Sequence, residues 1–163
     1  MSNIVQKIYS FNKFNELVFQ SLKLVEKNSK TQIPIQISKN KALDDSTGWL
    51  KASSTEFEYC SIHPELVNSI FEEYINSLPC EVFRTRIMIL GPKSSYIPHK
   101  DLTPRLHIPL ITNKETAFLF PDDNYMHQLN ADGSVYWVDT TKYHTFVNWS
   151  NENRIHIVSV IKK

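Results

Sequence analysis

The sequence predicts a mainly β protein with flanking helices, either a sandwich or a closed jelly-roll barrel. Three observations carry that prediction. Helical apolar spacing occurs only before residue 80. After Pro79 the apolar period changes to two and stays there. The later apolar runs are separated by segments rich in Pro, Asn, Asp and Gly. The 163 residues suit one domain of ordinary size, with helical support over roughly 1–80 and a jelly-roll core over roughly 81–163. A composition of 41% hydrophobic and 21% charged residues is close to globular averages, so a packed core is expected.

From Phe11 to Lys27, the residues Phe14, Leu17, Val18, Leu22 and Val25 fall on one helix face, with Lys13, Glu16, Lys23 and Glu26 elsewhere. The segment Gln32–Ile37 puts its three Ile on one face and reads as a short edge strand, where Pro34 is tolerated. Ser38–Ser54 is polar and contains Asp44-Asp45-Ser46-Thr47-Gly48 followed by Trp49. Its length suits a lid or a plain surface segment equally. Pro64 fits a first helical position and Glu65 a first turn. A stripe of Leu66, Val67, Ile70, Phe71, Tyr74, Ile75 and Leu78 follows, and Pro79 ends the helix. The expected strands are Val82–Leu90, Arg105–Thr112, Thr116–Phe120, Tyr125–Leu129, Ser134–Val138, Thr145–Asn148 and Arg154–Ile161.

Several function classes are excluded by composition. Lys+Arg at 18 against Asp+Glu at 17 lacks the basic excess of a nucleic-acid-binding module. Three glycines, none in a GxGxxG or GxxxxGK run, rule out a Rossmann fingerprint and a P-loop. Cys60 and Cys80 cannot form a disulfide scaffold and read as partly buried free thiols. No apolar run reaches signal-peptide or membrane-span length, so a soluble, cytoplasmic protein without a membrane partner is expected.

The informative span is Pro98 to Ile161. His99 and Asp101 are two apart, so on an extended chain both project from one face and can reach one ion. Alone this is weak, because about one such pair arises by chance in every four chains of this composition. His144 follows 43 residues after Asp101, at the start of a strand and after the turn-like Asp139-Thr140-Thr141-Lys142. Two His and one carboxylate on one face make the facial triad of non-haem iron(II) oxygenases. Arg154 lies ten residues on, within the final strand. It suits either bidentate capture of a carboxylate or a surface ion pair. In Arg105-Leu106-His107-Ile108, alternation turns Arg105 and His107 to one face, where an organic dianion would satisfy both. Arginine is scarce, with only Arg84, Arg86, Arg105 and Arg154, and two of the four lie in this constellation.

These residues carry a resemblance. The run HKD…PRLHIPL…VDTTKYHTFVN…NRIHIV resembles the aspartyl/asparaginyl β-hydroxylase family of 2-oxoglutarate-dependent oxygenases over roughly residues 85–161. The resemblance implies a double-stranded β-helix (a cupin-like jelly roll), iron(II) at His99, Asp101 and His144, and 2-oxoglutarate held through Arg154. It makes Arg105 and His107 a second anion-contacting pair, serving cosubstrate or substrate. It implies hydroxylation by O₂ of an amino-acid or peptidyl substrate of aspartate/asparagine or proline type. Where some relatives have glycine, this chain keeps Asp101.

Two rival readings stand beside it: a cupin-like barrel that binds an organic anion without redox chemistry, and a metal-dependent isomerase or hydrolase on the same scaffold. Among the remaining histidines, His63 reads as a capping or surface residue, His127 as a strand residue, and His156 as a core histidine facing with Arg154. Trp49, Tyr96, Tyr136 and Trp137 read as core or as a substrate border.

Overall fold

A computed structural model describes residues 4–162. In chain order the elements are β1 (Val5–Ser10), α1 (Phe14–Lys27), β2 (Gln32–Pro34), β3 (Gln36–Ile37), β4 (Ser61–Ile62) and α2 (Ile70–Ser77). There follow β5 (Val82–Leu90), β6 (Ser94–Ser95), β7 (Arg105–Ile111), β8 (Thr116–Phe120), β9 (Tyr125–His127), β10 (Ser134–Val138), β11 (Thr145–Asn148) and β12 (Arg154–Ile161). A six-stranded sheet runs β1-β10-β7-β12-β5-β2, and a four-stranded sheet runs β6-β11-β8-β9. Their strand pairs are antiparallel. This is the double-stranded β-helix.

Period-two alternation divides the large sheet's side chains between two environments. One face sends Leu106, Ile108, Val135, Ile155 and Ile157 against Leu17, Ile70, Phe71 and Tyr74 of the two helices. The other turns Tyr136, Val138 and Leu90 toward Phe118, Phe120 and Phe146 of the small sheet. The helices therefore cover the barrel's outside, and its interior is left for side chains that a ligand can reach.

Several local departures from the sequence expectation have visible causes. β1 was not expected. It pairs with β10, so the first 80 residues supply both edge strands of the large sheet in addition to the helices. α1 begins at Phe14 rather than Phe11, because the Phe11 amide donates to Gly133 O at 2.9 Å and the Phe11 ring enters the core. The second helix is interrupted. Pro64–Leu66 forms a single 3₁₀ turn, Asn68 takes a left-handed φ of 58°, and Ser69 restarts the helix by accepting from the Phe71 amide. Asn tolerates that conformation and Ser is a preferred N-cap, so residue chemistry outweighs the apolar stripe. The strand expected over Gln32–Ile37 divides at Ile35, whose amide donates to Thr85 O while its carbonyl accepts from the His63 amide. The chain thereby passes from the large sheet, paired to β5, to the β3–β4 ribbon. β7 and β9 end one and two residues early, at Ile111 and His127. Cys60 and Cys80 are free, as expected, but exposed rather than partly buried.

Gly133 is required by geometry. Its φ is +83°, and a Cβ there would lie 2.9 Å from Phe11 O and 3.2 Å from the Phe14 Cβ. Only glycine admits that backbone and that approach.

Candidate metal centre and anion pocket

His99 follows β6 on an extended segment and pairs as an isolated antiparallel bridge with His144, each amide donating to the other's carbonyl at 2.9 Å. Asp101 is tied in by its amide, which donates to Thr140 O at 2.8 Å. Backbone pairing thus joins residues 45 positions apart, and the two imidazole rings sit 4.6 Å centre to centre. The donor atoms of His99, Asp101 and His144 all lie within 4.8 Å of one another. His99 Nε2 is 3.8 Å from Asp101 Oδ1 and His144 Nε2 is 4.0 Å from Asp101 Oδ2.

The tautomers are set by the backbone. His99 Nδ1 lies 2.7 Å from Ile97 O and His144 Nδ1 lies 2.9 Å from Lys142 O. A carbonyl can only accept, so both Nδ1 atoms carry the proton and both Nε2 lone pairs face Asp101. This is how metal-ligating histidines are held by the groups behind them. His144 is buried, and desolvation pushes its pKa down, favouring the neutral imidazole that a metal needs. The donor set suits a divalent transition metal such as iron(II).

Beyond His144 the barrel interior holds a second cluster. Arg154 is 1% exposed, and its guanidinium carbon stacks 3.6 Å from the Phe146 ring centre. Its Nη2 donates to His156 Nδ1, which leaves the His156 proton on Nε2. Among the described residues, His156 Nε2, Arg154 Nε and both ring nitrogens of His107 are buried without a partner. His107 sits between the clusters, 5.8 Å from His156 and 5.0 Å from Phe118 between ring centres. Phe118 and Phe120 in turn lie 6.1 and 5.9 Å from His144. Burial, followed by the Arg154 charge, holds His107 and His156 well below the usual imidazole range, so both are neutral donors and acceptors. Buried polar groups are normally satisfied, so four orphaned nitrogens in one interior call for a polar, anionic ligand. The distal carboxylate and oxygens of 2-oxoglutarate fit that demand.

Arg105 is placed differently from His107. Its Nη1 donates to Thr103 O and Oγ1, at 2.8 and 2.6 Å, and its Nη2 donates to both carboxylate oxygens of Glu56, at 3.0 and 2.9 Å. The same Nη2 is 3.0 Å from Asp101 Oδ1. Arg105 therefore borders the metal ligands while its donors are occupied by protein.

Sequence reasoning missed three residues here. Arg84 and Arg86 are also buried, so all four arginines of the chain are interior. The signal was present: Arg84 and Arg86 alternate along one strand just as Arg105 with His107 and Arg154 with His156 do. Glu56 left no signal, since it lies in a 3₁₀ turn, Glu56–Glu58, 49 residues from Arg105. The other aromatic and histidine candidates are structural or outward. His63 Nδ1 accepts from the Glu65 amide as a cap, and His127 Nδ1 pairs with the Tyr125 hydroxyl at 2.9 Å. Asn148 is fully buried and donates to the carbonyls of Leu90, Gly91 and Glu152, closing one barrel end. Tyr96 and Tyr136 pack in the interior cluster, Trp137 packs on the helix side, and Trp49 is 95% exposed.

An antiparallel jelly roll with a His–Asp–His cluster beside an interior arginine defines the class of 2-oxoglutarate-dependent hydroxylases. The family model for aspartyl/asparaginyl beta-hydroxylase matches residues 18–163, and the chain belongs to that family. No curated protein matches it in sequence. Among solved structures it is similar to a viral collagen prolyl hydroxylase from Paramecium bursaria Chlorella virus-1 in complex with 2-oxoglutarate. That pair shares 13% identity with a TM-score of 0.52, covering 98% of each chain. It is also similar to NgTET1 in complex with 5mC DNA, at 16% identity and a TM-score of 0.58, covering 98% of this chain and 71% of that one. A Pseudomonas putida prolyl-4-hydroxylase matches at 10% identity and a TM-score of 0.50, covering 99% and 89%. At these identities the structural likeness speaks for the fold. Among the described residues no helix is long and apolar enough to cross a membrane.

Proposed function

We propose that this chain acts as a single-domain iron(II)- and 2-oxoglutarate-dependent hydroxylase of an amino-acid or peptidyl substrate, of the aspartate/asparagine or proline type. The observation that carries the reading is the convergence of two Nε2 lone pairs and one carboxylate within 4.8 Å. His99, Asp101 and His144 would hold the iron. When bound, iron(II) with 2-oxoglutarate and O₂ supplies the oxidising power for hydroxylation, with succinate and CO₂ as co-products.

The chain's own residues bind and position. Arg154, nearly wholly buried and stacked on Phe146, offers a guanidinium to the distal carboxylate of 2-oxoglutarate. His156 Nε2 donates to the same anion from beside it. His107, between that anchor and His144, serves the cosubstrate's other oxygens. Phe118, Phe120 and Phe146 exclude water from the space between them. Arg105 stands beside Asp101 at the metal with its Nη donors held by Thr103 and Glu56, so it borders the site without an anion of its own. The family's description and the two prolyl hydroxylases among similar folds support the substrate class.

Adding iron(II) and 2-oxoglutarate without oxygen tests the reading. A weak visible charge-transfer band is expected. Anion binding without such a band would instead support a non-catalytic barrel. Screening amino acids for stimulated succinate release then identifies the substrate.

A further inference from the structure

A buried chain of charges runs from the Ser38–Ser54 loop to the metal ligands. Arg84, left-handed at φ 48° where β5 bulges against β12, donates from Nε to Ser46 O at 2.8 Å and from Nη2 to Gly48 O at 2.5 Å. Its Nη1 donates to Glu56 Oε1 at 2.7 Å. Glu56 also accepts two hydrogen bonds from Arg105 Nη2, and that nitrogen lies 3.0 Å from Asp101 Oδ1. The side chains of Arg84, Glu56 and Arg105 are 8, 12 and 6% exposed, so water screens these charges little.

We propose that Glu56 is a positioning residue for the metal centre: by holding Arg105, it keeps Asp101 available as a ligand. The inference rests on the metal reading above. Its basis is a competition for one guanidinium. The hydrogen bonds of Arg105 Nη2 run to Glu56, and its approach to Asp101 is an ion contact, 3.0 Å from Oδ1. Oδ2 faces His144 Nε2. A buried guanidinium stripped of its carboxylate partner is left as an uncompensated charge. If Glu56 loses its charge, Asp101 becomes the remaining carboxylate beside Arg105, and a forked Arg–Asp pair would engage both oxygens. The carboxylate a metal needs would then be occupied by protein. The same loss of charge leaves Arg84 without its carboxylate partner, held by the Ser46 and Gly48 carbonyls and neutral contacts, which loosens the loop anchor on that side.

The test uses Mn(II), a redox-silent stand-in for iron(II), with binding followed by electron paramagnetic resonance and folding by circular dichroism. Glu56→Gln is expected to weaken Mn(II) binding about tenfold with the fold retained. Arg105→Gln alone is expected to bind Mn(II) as well as wild type or better. The double variant Glu56→Gln/Arg105→Gln should return to within about threefold of wild type, because the competitor is gone. A merely structural role for Glu56 predicts the opposite, with the double variant weaker than either single one. Should Glu56→Gln not fold, Glu56→Asp keeps the charge but is too short to bridge both arginines, and a weakened Mn(II) affinity is expected from it as well. Wild-type affinity in the Glu56 variants, or no recovery in the double variant, overturns the inference. A wild-type protein that takes up no Mn(II) overturns the metal reading and the inference with it.

Discussion

Replacing Arg154 by lysine tests how the cosubstrate is held. The substitution preserves the charge and removes the planar fork. In the folded protein the guanidinium lies over the Phe146 ring, gives one N–H to His156, and leaves Nε without a partner among the described residues. A carboxylate arriving there would receive parallel donors from a rigid group already held in place. Lysine offers a point charge on a flexible stem, with no stacking plane and a different reach. A charged hydrogen bond of this kind is worth about 1.5–3 kcal/mol. Each 1.4 kcal/mol is a factor of ten, so affinity for 2-oxoglutarate should fall roughly ten- to a hundredfold. Mn(II) affinity should hold, because Arg154 is outside the His99–Asp101–His144 cluster. Calorimetric titration of 2-oxoglutarate into the Mn(II)-loaded proteins reads both quantities. Unchanged affinity for 2-oxoglutarate in a variant that still binds Mn(II) would refute the assignment. The anion would then have to be held elsewhere, with the Nε of Arg86, which has no partner among the described residues, next in line.

Three further outcomes are expected. His144→Ala should abolish stoichiometric iron binding and succinate production while the fold persists, and wild-type succinate output from it would refute the triad. Gly133→Ala should cost about 1–3 kcal/mol, since it forces a left-handed alanine against Phe11 O, and an unchanged urea midpoint would contradict the packing described. Stability should fall as pH drops below about 6.5. His107 and His156 resist protonation in the fold because burial depresses their pKa values, whereas the unfolded chain takes up those protons near the ordinary imidazole value. Stability from these two residues is therefore fully present above that pH and lost on acidification. Equal urea midpoints at pH 7.5 and 5.0 would argue against neutral, buried imidazoles.

The strands of the barrel were legible from sequence because alternation is a local property. Val82–Leu90, Thr116–Phe120, Ser134–Val138, Thr145–Asn148 and Arg154–Ile161 each write their two faces into successive residues, and the structure has those boundaries. His99 and Asp101 could be paired for the same reason, because period two puts them on one side of an extended chain. β1 was not legible. Its burial alternates only weakly, and its existence depends on the β10 edge it covers. The second helix misled because its apolar stripe runs through Asn68, where a left-handed turn breaks it.

Tertiary structure alone decided the rest. That His144 returns beside His99 is a consequence of one isolated bridge, and that bridge depends on how two sheets close on each other. Which arginine would be free and which occupied could not be read from residue type. Arg105 meets Glu56 across 49 positions, while among the described residues Arg154 meets only His156 and an aromatic face. A side chain's period fixes the face it takes, but its charge partner is chosen by chain closure, and no local pattern encodes that choice.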